Sequence, residues 1–488
     1  MTRLKVFLAG LLARMVGLAM GERWRRSLGH EDDVRHMGLE EKLFWLYKSM
    51  VRQVELAEPG SGLEERFAAQ DLDFTPPDSF VKEASVVVSA GGDLSAMELI
   101  RPDNTERLWD EVGGFLFGGA ATDGAAAAAA PAAVPVIAVA NLETPIRPGK
   151  PSVGVPAVCL AAPALNGSAA MFDRFQSGGG FAYLATANNH SYDQGEDGVA
   201  ETLDFLDARG VPHSGTARSP EERDAFPVLE RGGVRVAFLS WTYCLNGRLL
   251  PEGKEHLANV ARLNKAGFDA APIAAQARAA RERGADFVVA VLHWSVEFEA
   301  YPTKAVAEAA RRVAEAGVDV VLGGHPHNAQ PSERLSVRDP ATGLEREALV
   351  VYSLGELVAL NLHTKNSRLA QLVRVELSVG TEGGRRASRI TRFEILPIAT
   401  SYRRSPRGAG TGGGAATAGG AAPGGPGDEY RVLDLRAALE ALDRGENPEG
   451  WSRREIRELK RLGALAARTM LPADAGRVLA PAGAWRKA

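Results

Sequence analysis

Carboxylate, amide and imidazole side chains recur in this chain in short strings, each placed directly after an apolar run. Asp93 follows Gly91-Gly92, and Asn141 and Glu143 flank Leu142. Asn188, Asn189 and His190 stand together, with Asp193 just beyond them. His293 precedes Trp294, with Glu297 close behind, and His325 and His327 bracket Pro326. The string Tyr352-Ser353-Leu354-Gly355-Glu356 ends the series. These oxygen and nitrogen donors suit Mn, Fe or Zn, and no thiolate is among them. One or two divalent transition metal ions need several such donors delivered onto one rim, and Asp93, Glu143, Asn189, His293, His325 and His327 would supply them. A centre of this kind brings the pKa of a bound water to about 7, so a nucleophile is available at neutral pH. A neighbouring imidazole, His190, could then protonate a leaving group.

Each string also has a plainer explanation. His325 and His327 could be a turn pair, because Pro326 holds both on a non-helical bend. His293 could be a core histidine beside Trp294. Asn189 and His190 could form a loop, since Asn tolerates unusual backbone angles. Asp193 has Glu196 three residues on, ahead of the apolar run starting at Val199. That is capping-box spacing, and a helix N-cap is the preferred reading for Asp193. Glu297 is expected to orient His293 or to meet substrate. Asp93 and Glu143 end apolar strands, where a buried carboxylate without a partner is costly; a cation is the economical partner.

Donors spread from Asp93 to Glu356 need a scaffold that gathers strand ends. Short β-branched runs supply the strands: Ser85–Ala90, Val134–Ala140, Phe181–Thr186, Val234–Ser240, Asp286–Leu292, Val318–Leu322 and Ala348–Tyr352. Helical stretches at Val199–Ala208, Ala271–Arg283 and Thr303–Ala316 alternate with them. This alternation predicts an α/β domain with a buried, substantially parallel sheet, and ligands bind at the C-terminal strand ends of such sheets. Leu372–Leu377 and Ile390–Leu396 lack intervening helices and predict antiparallel pairing.

The flanks differ from the centre. Residues 1–80 read as an N-terminal helical extension, including an amphipathic helix over His36–Glu58. Before it, Arg3 and Lys5 precede an apolar run that Arg14 interrupts. That run is shorter than the roughly 20 residues of a clean span, so an amphipathic helix is expected, with a weak membrane anchor as second choice. Localisation is then cytoplasmic or membrane-associated. The central domain covers 83–400, with an Ala/Gly-rich insertion at 118–133. A Gly/Ala-rich linker at 401–427 leads to a short helical C-terminal tail at 428–488, with helices over Val432–Leu442 and Trp451–Ala467. Of the 488 residues 45% are apolar and 24% charged, enough for a large core. A net charge of −4 gives no electrostatic reason to expect nucleic acid as partner. Cys159 and Cys244 are too few for a disulfide framework and read as small buried hydrophobes.

The strings occur in an order that resembles the CapA-like family, tied to poly-γ-glutamate capsule synthesis. They are Gly-Asp, Asn-Leu-Glu, Asn-Asn-His-x-x-Asp-x-Gly, His-Trp-x-x-Glu, Gly-x-His-Pro-His and Tyr-Ser-Leu-Gly, and the resemblance runs from about Glu83 to Ile398. It implies a metallophosphoesterase-like four-layer αββα sandwich, similar to calcineurin-like phosphoesterases. By position it implies that Asp93 ligates a first metal and that Asn141 or Glu143 bridges. It implies that Asn189, His293 and His325 ligate a second metal, that His327 returns to the first, and that His190 stands near substrate. Glu297, Asp193, Tyr352 and Glu356 are read as outer support or substrate contacts. Two departures stand out. Phosphoesterases proper begin Asp-x-His, whereas Asp93-Leu94-Ser95 has serine there. Glu356 takes the place of the family's usual asparagine, as either an added anionic ligand or a solvated variation. The implied function is a metal-dependent hydrolase or polymer-handling protein of capsule biosynthesis. Its substrate would be an anionic polymer or a phosphoester, with membrane-associated synthase components as further partners. The alternative is a non-catalytic binding or assembly subunit of such a synthase complex.

Overall fold

The strand Phe287–His293 shows how the layers arise. It is buried along its whole length, with Phe287, Val289 and Val291 in one apolar cluster and Val288, Ala290 and Leu292 in another. A strand covered on both faces must read as a continuous apolar run, as this one does. In the computed structural model, which describes residues 2–29, 33–95, 100–118, 134–154, 164–359, 364–403, 428–474 and 479, two sheets share the first cluster.

The first sheet holds β1 (Phe80–Leu94), β2 (Val136–Leu142), β3 (Tyr183–Ala185) and β4 (His213–Ser214), all parallel. On the other side of β1 lie β12 (Leu369–Glu382), β13 (Arg385–Arg403) and β14 (Glu429–Asp434), in antiparallel order. The short β11 (Glu356–Val358) adds to the end of β1 in parallel. The second sheet runs β5 (Val228–Arg231), β6 (Val234–Thr242), β7 (Phe287–His293), β8 (Val320–Gly324), β10 (Glu345–Ser353) and β9 (Gln330–Arg338). Its four central strands are parallel and its two edges antiparallel.

Helices complete the outer layers. Met171, Phe172 and Phe175 of α4 (Ala169–Gln176) and Phe205 and Leu206 of α5 (Gly195–Asp207) cover the outer face of the first sheet. On the second sheet, α7 (Ala271–Glu282) and α8 (Lys304–Glu315) bury Ile273, Ala277, Val306 and Ala310 against β6, β7, β8 and β10. Thr303 starts α8 by accepting a hydrogen bond from the Val306 amide at 3.2 Å. The result is a four-layer αββα sandwich. A short α6 (Pro220–Asp224) lies between β4 and β5.

The flanks are more involved in the fold than their sequences suggest. Residues 429–434, read as part of a helical tail, form β14 on the first sheet. The helices that follow, α9 (Leu435–Asp443) and α10 (Arg453–Thr469), bury Leu435, Ala438, Leu462 and Leu465 in the inter-sheet cluster. Residues 119–133 of the insertion and 404–427 of the linker lie outside the described residues, as does Cys159, while Cys244 is buried. At the N-terminus, α1 (Thr2–Met20) packs Val16 and Met20 with Trp24 and Phe44 and exposes Phe7, Leu8, Leu11, Leu12, Met15 and Leu18. No described helix is long and apolar enough to cross a membrane.

The amphipathic helix expected over His36–Glu58 is shorter: α2 spans Leu39–Met50, and a small α3 (Leu63–Ala68) follows. Between them the chain is extended, because Val54 exchanges backbone hydrogen bonds with Phe298 (3.0 Å) and Ala300 (2.9 Å). Tertiary pairing overrides the local helical period. Next to it Lys48 and Glu299 form an ion pair at 2.7 Å with side chains only 3% and 2% exposed. Removing one member leaves a buried charge without its compensation, at about 3–5 kcal/mol. Lys48→Met is therefore expected to lower the unfolding free energy by about that amount in denaturant titration, and a change under about 1 kcal/mol would refute it.

Candidate metal centre

Sheet register brings the first donors abreast. Asp93 at the end of β1 pairs with Asn141 of β2 on one side and with Glu356 of β11 on the other. In the second sheet His293, the last residue of β7, pairs with Gly324 of β8, one residue before His325. The two sheet ends meet at Asp93, whose Oδ2 accepts a hydrogen bond from the His325 amide at 3.1 Å. Glycine permits this approach. A Cβ at Gly324 would stand 2.6 Å from Asp93 Oδ1, and one at Gly92 would stand 1.8 Å from the Gly355 carbonyl. His325 and His327 both adopt left-handed backbone angles, φ 97° and 57°, which non-glycine residues hold only when the surroundings enforce them.

Two donor groups share Glu143. In one, Asp93, Glu143 and His327 offer ligand atoms all within 4.8 Å of one another. In the other, His293 Nε2 lies 3.0 Å from Asn189 Oδ1 and 3.9 Å from Glu143 Oε1. The His325 ring lies tilted beside His293, ring centroids 4.9 Å apart, and beside Tyr243 at 4.7 Å. Asn141 donates through Nδ2 to Asp93 Oδ1 at 2.7 Å, and the same nitrogen lies 3.4 Å from His293 Nδ1. Asn188 supports it, donating to Asn141 Oδ1 (3.2 Å) and to the Leu142 carbonyl (2.8 Å). Ser95, in the position where Asp-x-His sequences carry histidine, donates its hydroxyl to Glu143 Oε2.

The electrostatics fit a cation. Asp93, Glu143 and Glu356 are buried together, and Glu143 Oε1 accepts no hydrogen bond among the described residues. Burial, and then the charge of Glu143, push the Asp93 carboxyl up to about 7. Burial would push His327 down, but its bonds to Glu297 and Glu356, with Glu143 nearby, hold it well above the ordinary imidazole value. His293 is held well below that value by burial and by His325, His190 and His327, so it is neutral and able to ligate. The donor set of carboxylate, amide and imidazole suits Mn, Fe or Zn.

Several individual expectations change. Asp193 is no helix cap: α5 begins at Gly195 with Gln194 before it. Asp193 instead accepts from the Leu165 amide at 2.9 Å and lies 2.9 Å from His190 Nδ1. Burial opposes protonation of His190, yet the bond to Asp193 raises its pKa. Glu297 stands beside His327 rather than His293, with Oε1 3.4 Å from His327 Nε2. Glu356 is no solvated variation; it is buried, with Oε1 2.9 Å from His327 Nδ1. Tyr352 does not join the cluster. Strand alternation turns Val351 and Ser353 inward and Tyr352 outward, where its hydroxyl donates to Glu333 at 2.7 Å and its ring meets Phe67.

Sequence reasoning passed over Asn246, 3.2 Å from Asn189 and 3.5 Å from His190, and Trp45, whose indole N–H donates to Glu297 Oε2. Neither lies in a polar string after a strand, so neither carried a signal. Asn188 did, as the first residue of Asn-Asn-His.

Residues 106–360, more than half of the 488-residue chain, match the family described as bacterial capsule synthesis protein PGA_cap. The chain belongs to that family. The match includes every donor from Asn141 to Glu356 and begins after Asp93. Over 219 residues the chain is 27% identical to the PGA biosynthesis protein CapA of Bacillus subtilis (strain 168), covering 45% of this chain and 50% of that protein. Over 194 residues it is 25% identical to the capsule biosynthesis protein CapA of Bacillus anthracis, covering 39% of this chain and 44% of that one. The matches thus take in about half the length of these curated relatives. Among solved structures, the calcineurin-like phosphoesterase YfkN from Bacillus subtilis aligns with 64% of this chain and 90% of its own, at 13% identity and a TM-score of 0.33.

Proposed function

We propose that the chain is a metal-dependent hydrolase of capsule biosynthesis, acting on an anionic polymer or a phosphoester. The observation that carries this reading is the pair of donor groups sharing Glu143 at the meeting of the two sheets. Asp93, Glu143 and His327 would hold one ion, with Glu356 as an added anionic donor beside His327. Asn189, His293 and His325 would hold a second, Glu143 bridging the two and Asn141 holding Asp93 and His293 in place. A bound divalent ion would supply Lewis acidity and an activated water at neutral pH. The chain's own part is then positioning and proton transfer. Asp193 holds His190 at Nδ1, which leaves Nε2 to carry a proton toward a leaving oxygen.

The second reading is a non-catalytic binding or assembly subunit of a membrane-associated synthase complex. The apolar face that α1 exposes favours it, as does the serine at position 95. Elemental analysis separates the two. Purified wild-type protein is expected to carry about one or two transition metal ions per chain, and His325→Ala to carry fewer. Equal, near-zero metal in both proteins would sink the hydrolase reading in favour of the assembly one.

A further inference from the structure

The N-terminal helix α2 lies outside the segment that matches the family, yet it reaches the metal centre. We infer that Trp45 of α2 is a positioning residue for His327, acting through Glu297; this rests on the metal reading above. Three contacts in series carry the inference. The Trp45 indole N–H donates to Glu297 Oε2, Glu297 Oε1 lies 3.4 Å from His327 Nε2, and His327 Nδ1 faces the carboxylate of Glu356 at 2.9 Å. A proton on Nε2, held by Glu297, leaves Nδ1 as the atom turned to the acidic cluster. A carboxylate behind a ligating histidine sets its tautomer and ring angle in this way, and losing such outer support costs about 10–100-fold in metal affinity.

Packing fixes the same parts. Phe298 stacks on the His327 ring with centroids 5.5 Å apart and planes 20° apart, and Trp45 lies against Phe298 at 6.2 Å. The Lys48–Glu299 pair and the hydrogen bond from Gln53 to Asn328 at 2.8 Å tie the same stretch of chain to both loops. The carboxylate of Glu297 is therefore held from both the N-terminal extension and the metal centre. Without the indole donor, Glu297 gains a rotamer and His327 loses its fixed tautomer.

The test is Mn²⁺ titration of metal-free protein, followed by calorimetry, for wild type, Trp45→Phe, Glu297→Gln, the double variant and Phe44→Leu. Trp45→Phe keeps a ring in place and removes the donor. It is expected to weaken Mn²⁺ binding by about 10-fold, at the lower end of the outer-support range. Because Trp45 acts through Glu297, the double variant is expected to bind no more weakly than Glu297→Gln alone. Phe44→Leu, one residue away in the cluster with Trp24, is expected to lower the melting temperature and leave Mn²⁺ affinity unchanged. Wild-type affinity in Trp45→Phe, or a full additional loss in the double variant, would overturn the inference while leaving the metal centre intact. No Mn²⁺ binding by wild type would overturn the metal reading and this inference with it.

Discussion

Asp93→Asn is expected to lose both bound metal and hydrolysis, the latter by about 10³-fold or more on an aryl phosphodiester with added Mn²⁺. Asp93 stands where the C-terminal ends of the two sheets meet, with Oδ1 accepting from Asn141 and Oδ2 from the His325 amide. An asparagine preserves the shape, removes the charge that a cation needs and gives up one of the two accepted hydrogen bonds. Stability should move the opposite way. In metal-free protein the Asp93 carboxyl is pushed up to about 7, against 3.8 ordinarily, so the folded state binds its proton more tightly than the unfolded chain. Stability therefore falls as pH rises from about 4 to 7 and stays reduced above that window. Metal-free Asp93→Asn escapes this penalty. Its unfolding free energy at pH 8 is expected to exceed that of metal-free wild type by a few kcal/mol, of order 1.4 per pKa unit, with the gap closing toward pH 4. An Asp93→Asn protein that binds Mn²⁺ and turns over as wild type does would remove Asp93 from the centre. A stability difference between the two metal-free proteins that does not change between pH 4 and pH 8 would refute the electrostatic account.

His190→Ala is expected to separate substrates by leaving group. If His190 delivers the proton to the departing oxygen, its loss costs about 10²–10⁴ in kcat on an alkyl phosphodiester, whose alkoxide needs that proton. A nitrophenyl diester, whose leaving group departs as a stable anion, should lose little. Metal content should not change, since His190 lies outside both donor groups that share Glu143. Asp193→Asn is expected to follow the same pattern more weakly, because it holds His190 at Nδ1 without touching the reacting bond. An equal loss on both substrates would mean that His190 serves binding or structure rather than proton transfer.

Both experiments concern residues whose chemistry can be read from the chain but whose partners cannot. Asp193 shows the limit. Glu196 at capping-box spacing made a helix cap the economical local reading, yet the Leu165 amide and His190 compete for the same carboxylate and win. Glu356 shows the converse: nothing local distinguishes a buried glutamate from a solvated one, and only the parallel pairing of β11 with β1 sets it beside Asp93. Tyr352 neighbours the site in sequence, and the two-residue alternation of a strand turns it away.

What the amino-acid order alone determined was the set of local facts: apolar runs that must be buried on both faces, helices that alternate with them, and polar donors at the points where those runs end. These depend on periodicity and side-chain type within a few residues, and they were enough for an α/β domain with its chemistry at the strand ends; the αββα layering came from the family resemblance. Tertiary structure decided which donors converge, because that depends on strand register and on how closely two sheets approach through Gly92 and Gly324. It also decided that α2, distant in sequence, is tied to the loop after β7 through the Trp45–Glu297 hydrogen bond and the buried Lys48–Glu299 pair. Contacts between residues far apart along a chain leave no spacing pattern in it, since their complementarity exists only once the backbone has brought them together.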